Sequence, residues 1–475
     1  MVVTAFQAVL AVVLAAAGTG GGDAVSAPSG PSLLDDPVLR SLVKEAMERR
    51  PELVQARAEI RAQQERVPQS RVLPDPMLAV GIQNDGFSSI QIGKMETSFV
   101  SIMASQTFPW SGKRGARGEL AGLGAREAEL DLRRVLLSLA ADIERAYLDV
   151  LLVRDQQGLL TRLESLWAQS EAVTRVRYES GEAAQSDLLR AQLERNRLRQ
   201  RRWSLLAEER SRVALLNRLR GHAPGDAIAT TRTLTDLPDP PQVLDPQQAL
   251  AEAQAESPEL KKALLAGESA DRRVDLAKRD RWPDVTVSAA IMPRGGNFVT
   301  MWQAGVAVNL PVWAAQKQTR AIAENQARGE AARSGAEALR QLLGQRVSER
   351  LAALEALLES NRLYRSGLLV QSEATVKSTL AQYQVGRVTF ASVLEALGGY
   401  LGDMNGFLES VVAAQRIAVA QREISLDPPE GPAAGGMGAP AMPGAGATAT
   451  AATAKRAGSS AASGAQGSAS AGAPM

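Results

Sequence analysis

Cysteine is absent from this chain of 475 residues, which excludes disulfides, thiolate metal sites and a lipid-bearing cysteine. Histidine occurs once, as His222 in a Gly-His-Ala-Pro loop. One imidazole without partners makes no catalytic or metal cluster, and a solvated loop residue is the expectation. Aromatic residues are scarce, 4% against 45% hydrophobic, a balance that suits helix-on-helix packing better than a compact aromatic core. Charge nearly cancels, at +2 with a pI near 8.9, so nothing pulls the chain strongly toward nucleic acid. After the N-terminal stretch no apolar run is long enough to cross a bilayer as a helix. No phosphate loop, paired-carboxylate constellation or nucleophile motif stands out. The sequence makes no case for an enzyme, and names no catalytic residue, metal ligand or cofactor site.

Proline is missing in a more informative way. All 23 prolines lie outside two long stretches, Lys113 to Ala223 and Val312 to Asp427. In the first, Leu132, Val135, Leu136, Leu139, Ile143, Tyr147, Val150 and Leu151 recur at three- and four-residue steps. The second repeats the pattern with Leu339, Leu342, Leu343, Val347, Leu351, Leu354 and Leu358. That is a helical period, filled out by Ala, Leu, Glu, Arg and Gln. Each stretch has one short break, Tyr178-Glu179-Ser180-Gly181 and Tyr383-Gln384-Val385-Gly386. Two very long helical hairpins are predicted. Lys113 to Arg177 alone would span roughly 100 Å as a helix, and such a helix must lie against others. Charged runs on it, such as Arg199 to Arg202, read as a solvated face.

In chain order, Val2 to Ala17 is apolar and leads to Val25-Ser26-Ala27, similar to a secretory signal and its cleavage site, so 1–27 is read as a signal peptide. Leu39 to Val67 reads as helix. The period then changes: Leu78, Val80 and Ile82 alternate with smaller or polar residues, Asn84-Asp85-Gly86 turns, and Thr97 to Phe108 alternates again. The first long hairpin follows, and Leu237-Pro238-Asp239-Pro240-Pro241 marks a linker. Then everything restarts. Ser257-Pro258-Glu259-Leu260 echoes Arg50-Pro51-Glu52-Leu53, and Trp282-Pro283-Asp284 echoes Leu73-Pro74-Asp75. Val285 to Ile291 and Phe298 to Leu310 alternate, and the second hairpin begins. Tyr178 and Gly181 precede Tyr383 and Gly386 by the same interval. The chain is one unit written twice: helix, strand, strand, long hairpin. Repeat 1 covers about 33–223, the linker 224–245, repeat 2 about 246–427 and an Ala/Gly/Pro/Ser-rich tail, expected to be disordered, 428–475.

Four amphipathic strands cannot close a membrane barrel, because a bilayer tolerates no open sheet edge. Three chains giving four strands each could close one of twelve. Met77, Met103, Met292 and Met301 lie on or beside these strands. A soft-metal relay is one reading of them, and barrel packing or lipid contact the plainer one.

With the duplicated architecture and the paired Tyr-x-x-Gly turns in register, each followed by Asp187-Leu188-Leu189 or Ser392-Val393-Leu394, the chain resembles the TolC-type outer-membrane efflux proteins over about residues 33–427. The segments Leu73-Pro74-Asp75-Pro76-Met77 and Ser105 to Lys113 are similar to the branch serving heavy-metal efflux pumps. The resemblance implies a mainly α fold with a small β part: a homotrimer with a twelve-stranded outer-membrane β-barrel in the lipid, continued by an α-helical periplasmic tunnel. It implies a passive exit duct, with a periplasmic adaptor and an inner-membrane pump docking at the turns. The outer duct of a type I protein-secretion system and a periplasmic coiled-coil scaffold or adaptor are the alternatives. The resemblance also places gate and tip residues at Tyr178, Gly181, Asp187, Tyr383, Gly386, Arg387, Ser392 and Glu395. Among them it implies a Tyr383–Asp187 link and a carboxylate ring at Glu395. Ser392 replaces a second ring carboxylate, and Arg387 stands one place early, with Val388 where a basic residue is expected.

Overall fold

The proline-free stretches form the longest helices of the computed structural model, which describes residue 33 and residues 36–241 and 245–429. The proposed signal segment lies outside the described residues, as does the tail from residue 430 onward. Helices α1 (Pro37–Arg49) and α2 (Pro51–Arg71) lead to strands β1 (Met77–Gln83) and β2 (Phe99–Phe108), then to α3 (Lys113–Glu179) and α4 (Gln185–Arg220). The second half repeats the order: α5 (Pro246–Glu256), α6 (Pro258–Arg279), β3 (Val285–Met292) and β4 (Met301–Val308). A long helix follows as α7 (Gln318–Leu363), a π-type turn at Tyr364–Leu368 and α8 (Leu369–Gln384), and α9 (Phe390–Glu423) returns. Helix α3 alone has 67 residues, about 100 Å of length.

The helix expected over Leu39 to Val67 is two helices. Pro51 has no N–H to donate and restricts the residue before it, so Arg50 adopts an extended conformation (φ −67°, ψ 123°) and the chain breaks there. The second strand of each pair is shorter than its alternating sequence. The second hairpin also starts late, after a turn at residues 312–317, whereas α3 starts at once after Gly112.

The strands form one antiparallel sheet in the order β1-β2-β3-β4, so the β2–β3 pairing joins the two repeats. Its register separates two faces. Val80 opposes Ile102, Ile102 opposes Ile291, and Ile291 opposes Trp302; Val287 opposes Val306 and Val285 opposes Val308. Directly paired residues share a face, so Leu78, Val80, Ile82, Trp302, Val306 and Val308 belong to one continuous apolar surface. The other face carries Gly81, Ser101, Ser105, Ser288, Gln303 and Gly305. All four strand methionines, Met77, Met103, Met292 and Met301, lie on this second face. Lipid contact, offered for them above, is therefore corrected.

Below the sheet, α3 packs on α2, α4, α6 and α9, so the first repeat's long helix holds both halves together. Tyr147 of α3, fully buried, donates to Asp36 Oδ2 at 2.6 Å, and Asp36 also caps α1 through Val38 N at 2.9 Å. Burial, with the neighbouring Asp36 carboxylate, pushes the Tyr147 hydroxyl well above its usual range and keeps it a donor. His222 departs from the solvated residue expected: its ring meets Arg49 Nη1 at 2.9 Å and Asp226 Oδ2 at 3.1 Å, tying the end of α4 to the end of α1.

Candidate functional site

The Tyr-x-x-Gly turns lie at the end of the hairpins opposite the sheet, and the two are built alike. Gly181 N donates to Tyr178 O at 3.0 Å and Glu182 N to Arg177 O at 2.7 Å. Gly386 N donates to Tyr383 O at 3.1 Å and Arg387 N to Gln382 O at 2.9 Å. These bonds satisfy the last carbonyls of α3 and α8, and they require a left-handed residue. Gly181 (φ 80°) and Gly386 (φ 75°) supply it, which is why glycine recurs there.

The side chains break the symmetry. Tyr178 is 40% exposed, whereas Tyr383 is 2% exposed. The Tyr383 ring packs against Phe390 with centroids 5.7 Å apart, and Phe390 meets Trp167 edge-on at 6.2 Å. The Tyr383 hydroxyl pairs with Thr174 Oγ1 of α3 at 2.9 Å. Asp187 sits in the first turn of α4, half-buried, where its charge favours the helix N-terminus. Within the chain the structure brings Tyr383 to Thr174 rather than to Asp187, because the tyrosine is turned inward against α3. Arg387 and Glu395 are exposed and Ser392 half-buried, its Oγ 3.3 Å from Thr389 Oγ1.

Arg177 is the tie that sequence reasoning missed. Its guanidinium carbon lies 5.1 Å from the Tyr383 ring centroid, and Nη1 donates to Tyr383 O at 2.9 Å. A Cβ on Gly386 would meet Arg177 Nη2 at 3.2 Å. One side chain thus grips the second turn from the first. The equivalent position in the second repeat is Gln382, so the duplication itself hides this residue.

The latch sets a gradation of effects. Tyr383→Phe removes one hydrogen bond, about 1 kcal/mol. Thr174 keeps a second bond, to Ser170 O at 2.8 Å. Arg177→Ala removes a charged hydrogen bond and a cation–π contact, together about 2 kcal/mol. Proteolysis at the turns should follow that order. Equal resistance of both variants and wild type would show that the latch does not hold the tip.

An apolar-faced sheet too narrow to close on itself, carried on helices about 100 Å long, defines an outer-membrane channel subunit. The model of the outer membrane efflux protein family matches residues 42–222 and 249–409, and the chain belongs to that family. Its place is accordingly the outer membrane, with the helices in the periplasm. Over 281 residues it is 24% identical to the nickel and cobalt resistance protein CnrC of Cupriavidus metallidurans. That alignment covers 58% of this chain and 64% of CnrC, so the chain spans less than two thirds of this relative's length. Among solved structures it is similar to the outer-membrane channel OprN (TM-score 0.70, 19% identity, 86% of this chain and 96% of that one). CusC (TM-score 0.69, 17% identity, 84% and 95%) and the open state of the MtrE channel of Neisseria gonorrhoeae (TM-score 0.69, 16% identity, 86% and 94%) share the fold as well.

Proposed function

We propose that three copies close their sheets into a twelve-stranded barrel and their hairpins into a tunnel, forming the passive outer-membrane duct of a tripartite efflux system. The observation that carries this reading is the two-faced sheet with both outer edges, β1 and β4, open. In hydrocarbon each unpaired backbone group costs several kcal/mol, which only pairing with another copy can remove. The paired turns form the periplasmic tip, where an adaptor and an inner-membrane pump dock. Heavy-metal cations are the proposed cargo. The likeness to CnrC supports that assignment, as do the segments before β1 and after β2. The duct conducts and does no chemistry.

Absence of cysteine makes closure directly testable. Within one chain β1 and β4 are separated by three strand spacings, about 14 Å, too far for a disulfide. Cysteines placed along Met77–Gln83 in β1, each combined with Gly305→Cys in β4, should therefore cross-link only between copies. The expected product is a ladder ending at the trimer. Monomer alone at every register would refute closure by β1 and β4.

At the tip, a threefold axis would gather three copies of Glu395, exposed near the start of α9. Crowded carboxylates attract cations. Glu395→Ala should reduce cation selectivity in single-channel recordings, and unchanged selectivity would remove Glu395 from the gate. For the cargo, the duct produced with a matching adaptor and pump should lower cellular nickel or cobalt. Unchanged metal content, with a secreted polypeptide appearing outside the cell, would favour the type I secretion reading.

A further inference from the structure

Most arginines on the long helices have a carboxylate close by, such as Arg272 with Glu119 at 3.2 Å and Arg195 with Glu171 at 2.7 Å. Others, such as Arg199 and Arg201, stand on exposed helix faces without one among the described residues, and at the base of the sheet several such arginines gather. Arg71, Arg114, Arg279 and Arg320 are exposed and form no ion pair among the described residues. Asp284 and Asp280 both pair with Lys113, at 2.8 and 3.6 Å, and exposed Asp75, before β1, forms no ion pair among the described residues, so the cations outnumber the acids there. The cations are also held near one another. Arg114 Nη1 donates to Arg71 O at 3.3 Å, and Arg279 lies so close to Gly112 that a Cβ there would stand 1.8 Å from Nη1. Between Arg71, Arg114 and Trp110 is an open cavity of about 310 Å³, completed by Pro109, Ser111, Gly112 and Gly115.

Immediately on the sheet side of this basic collar the surface turns aromatic. Trp110 and Trp282 stack with centroids 5.2 Å apart and planes at 10°, and both remain exposed, as do Leu310, Val312 and Trp313. The apolar face of the sheet runs into this band through Phe108 and Val308. Tryptophan prefers the boundary between hydrocarbon and headgroups, and cations just beyond it meet the phosphates.

We propose that the sheet base is a headgroup site for anionic glycerophospholipid of the inner leaflet, with Trp110 and Trp282 at the glycerol level and Arg71, Arg114 and Arg279 around the phosphate. The surplus positive charge selects a net-anionic headgroup over a zwitterionic one, although both carry a phosphate. Such a site fixes the depth of the barrel in the membrane. The inference rests on reading the sheet as part of a membrane barrel.

Delipidated full-length protein in detergent, titrated with phosphatidylglycerol or phosphatidylcholine of equal chain length and read by native mass spectrometry, tests it. Phosphatidylglycerol should bind the tighter, and each of Arg71→Gln, Arg114→Gln and Arg279→Gln should weaken it about fivefold. Arg328→Gln on α7, whose partner is Glu324 at 2.6 Å, should change nothing. Indifference to headgroup, or a triple variant that binds like wild type, overturns the site while leaving the barrel intact. Displacement of the lipid by millimolar inorganic phosphate overturns it in favour of a simple anion site. Failure to bind either lipid overturns the site, and the barrel reading stands or falls separately on the β1–β4 cross-links.

Discussion

Val306→Arg should remove most of the protein from the outer-membrane fraction, while Gln303→Arg, three residues earlier on the same strand, should leave it near the wild-type level. Both positions are in β4 and both side chains are exposed in the single chain, so exposure does not distinguish them. Register does. Val306 opposes Val287 and Gln303 opposes Ala290. Val306 therefore belongs to the face shared with Val80, Ile102, Ile291 and Trp302, and Gln303 to the face of Gly81, Ser105 and Ser288. An arginine on the lipid side near the midplane costs about 2–4 kcal/mol, and one in a wet lumen costs little. The penalty corresponds to roughly 30- to 1000-fold in the insertion equilibrium. Val80→Arg on the opposite edge strand should reproduce the loss. Immunoblots of fractionated membranes and the folded-band shift on unheated gels read the result. Equal amounts of the Val306 and Gln303 variants would contradict the assignment of faces.

That assignment was legible before any coordinates, because a strand's side chains alternate with a period of two. Leu78, Val80 and Ile82, or Trp302, Val306 and Val308, announce their face without reference to a partner. The paired turns were equally plain, since Gly181 and Gly386 are demanded by the backbone itself. What stayed hidden is what depends on partners distant in sequence. Arg177 looks like any arginine in a charged helix, yet its partner Tyr383 is 206 positions away. Tyr178 and Tyr383 are equivalent by motif, and only packing against Phe390 and Thr174 buries one and not the other. The π-type turn in the second long helix left no mark on the apolar period. It begins at Tyr364, which packs against α9, where a Cβ on Gly406 would stand 2.6 Å from the tyrosine oxygen. Barrel packing and lipid contact are both open for the methionines on periodicity alone, and only their neighbours across the sheet, Ser105, Ala79, Ala290 and each other, leave the first.

Glu423→Leu should destabilise the helical body by about 3 kcal/mol, at the lower end of the range for breaking a buried ion pair. Glu423 ends α9 and its side chain is 4% exposed. One carboxylate oxygen takes Arg134 Nη2 at 2.9 Å and the other takes Arg145, both from α3. Arg134 also holds Glu259 of α6 at 2.9 Å, so this carboxylate joins the last helix to the first repeat's longest helix and, through it, to the second repeat. Two further pairs, Glu144 with Arg422 and Asp149 with Arg416, continue the ladder between α3 and α9. Buried Arg350 adds a third cation. It donates to the carbonyls of Ser425 and Asp427, and burial pulls its pKa below the usual arginine range while Glu423 opposes that shift. Without Glu423, Arg134, Arg145 and Arg350 lose their shared counter-charge. Arg134 and Arg145 keep about a quarter of their surface in water, and that solvent access sets the loss at the lower end. Glu423→Gln, which keeps the shape and some hydrogen bonding, should cost less. Adding Arg145→Leu to Glu423→Leu should recover part of the loss, because one of the three cations is then gone, and the double-mutant cycle isolates the pair. Thermal loss of the helical circular dichroism signal, in one detergent throughout, measures wild type, Glu423→Leu, Glu423→Gln, Arg145→Leu and the double variant. If Glu423→Leu melts with wild type, or if the double variant is worse than either single change, the ladder is a surface ornament and not the clasp that holds α9 to α3.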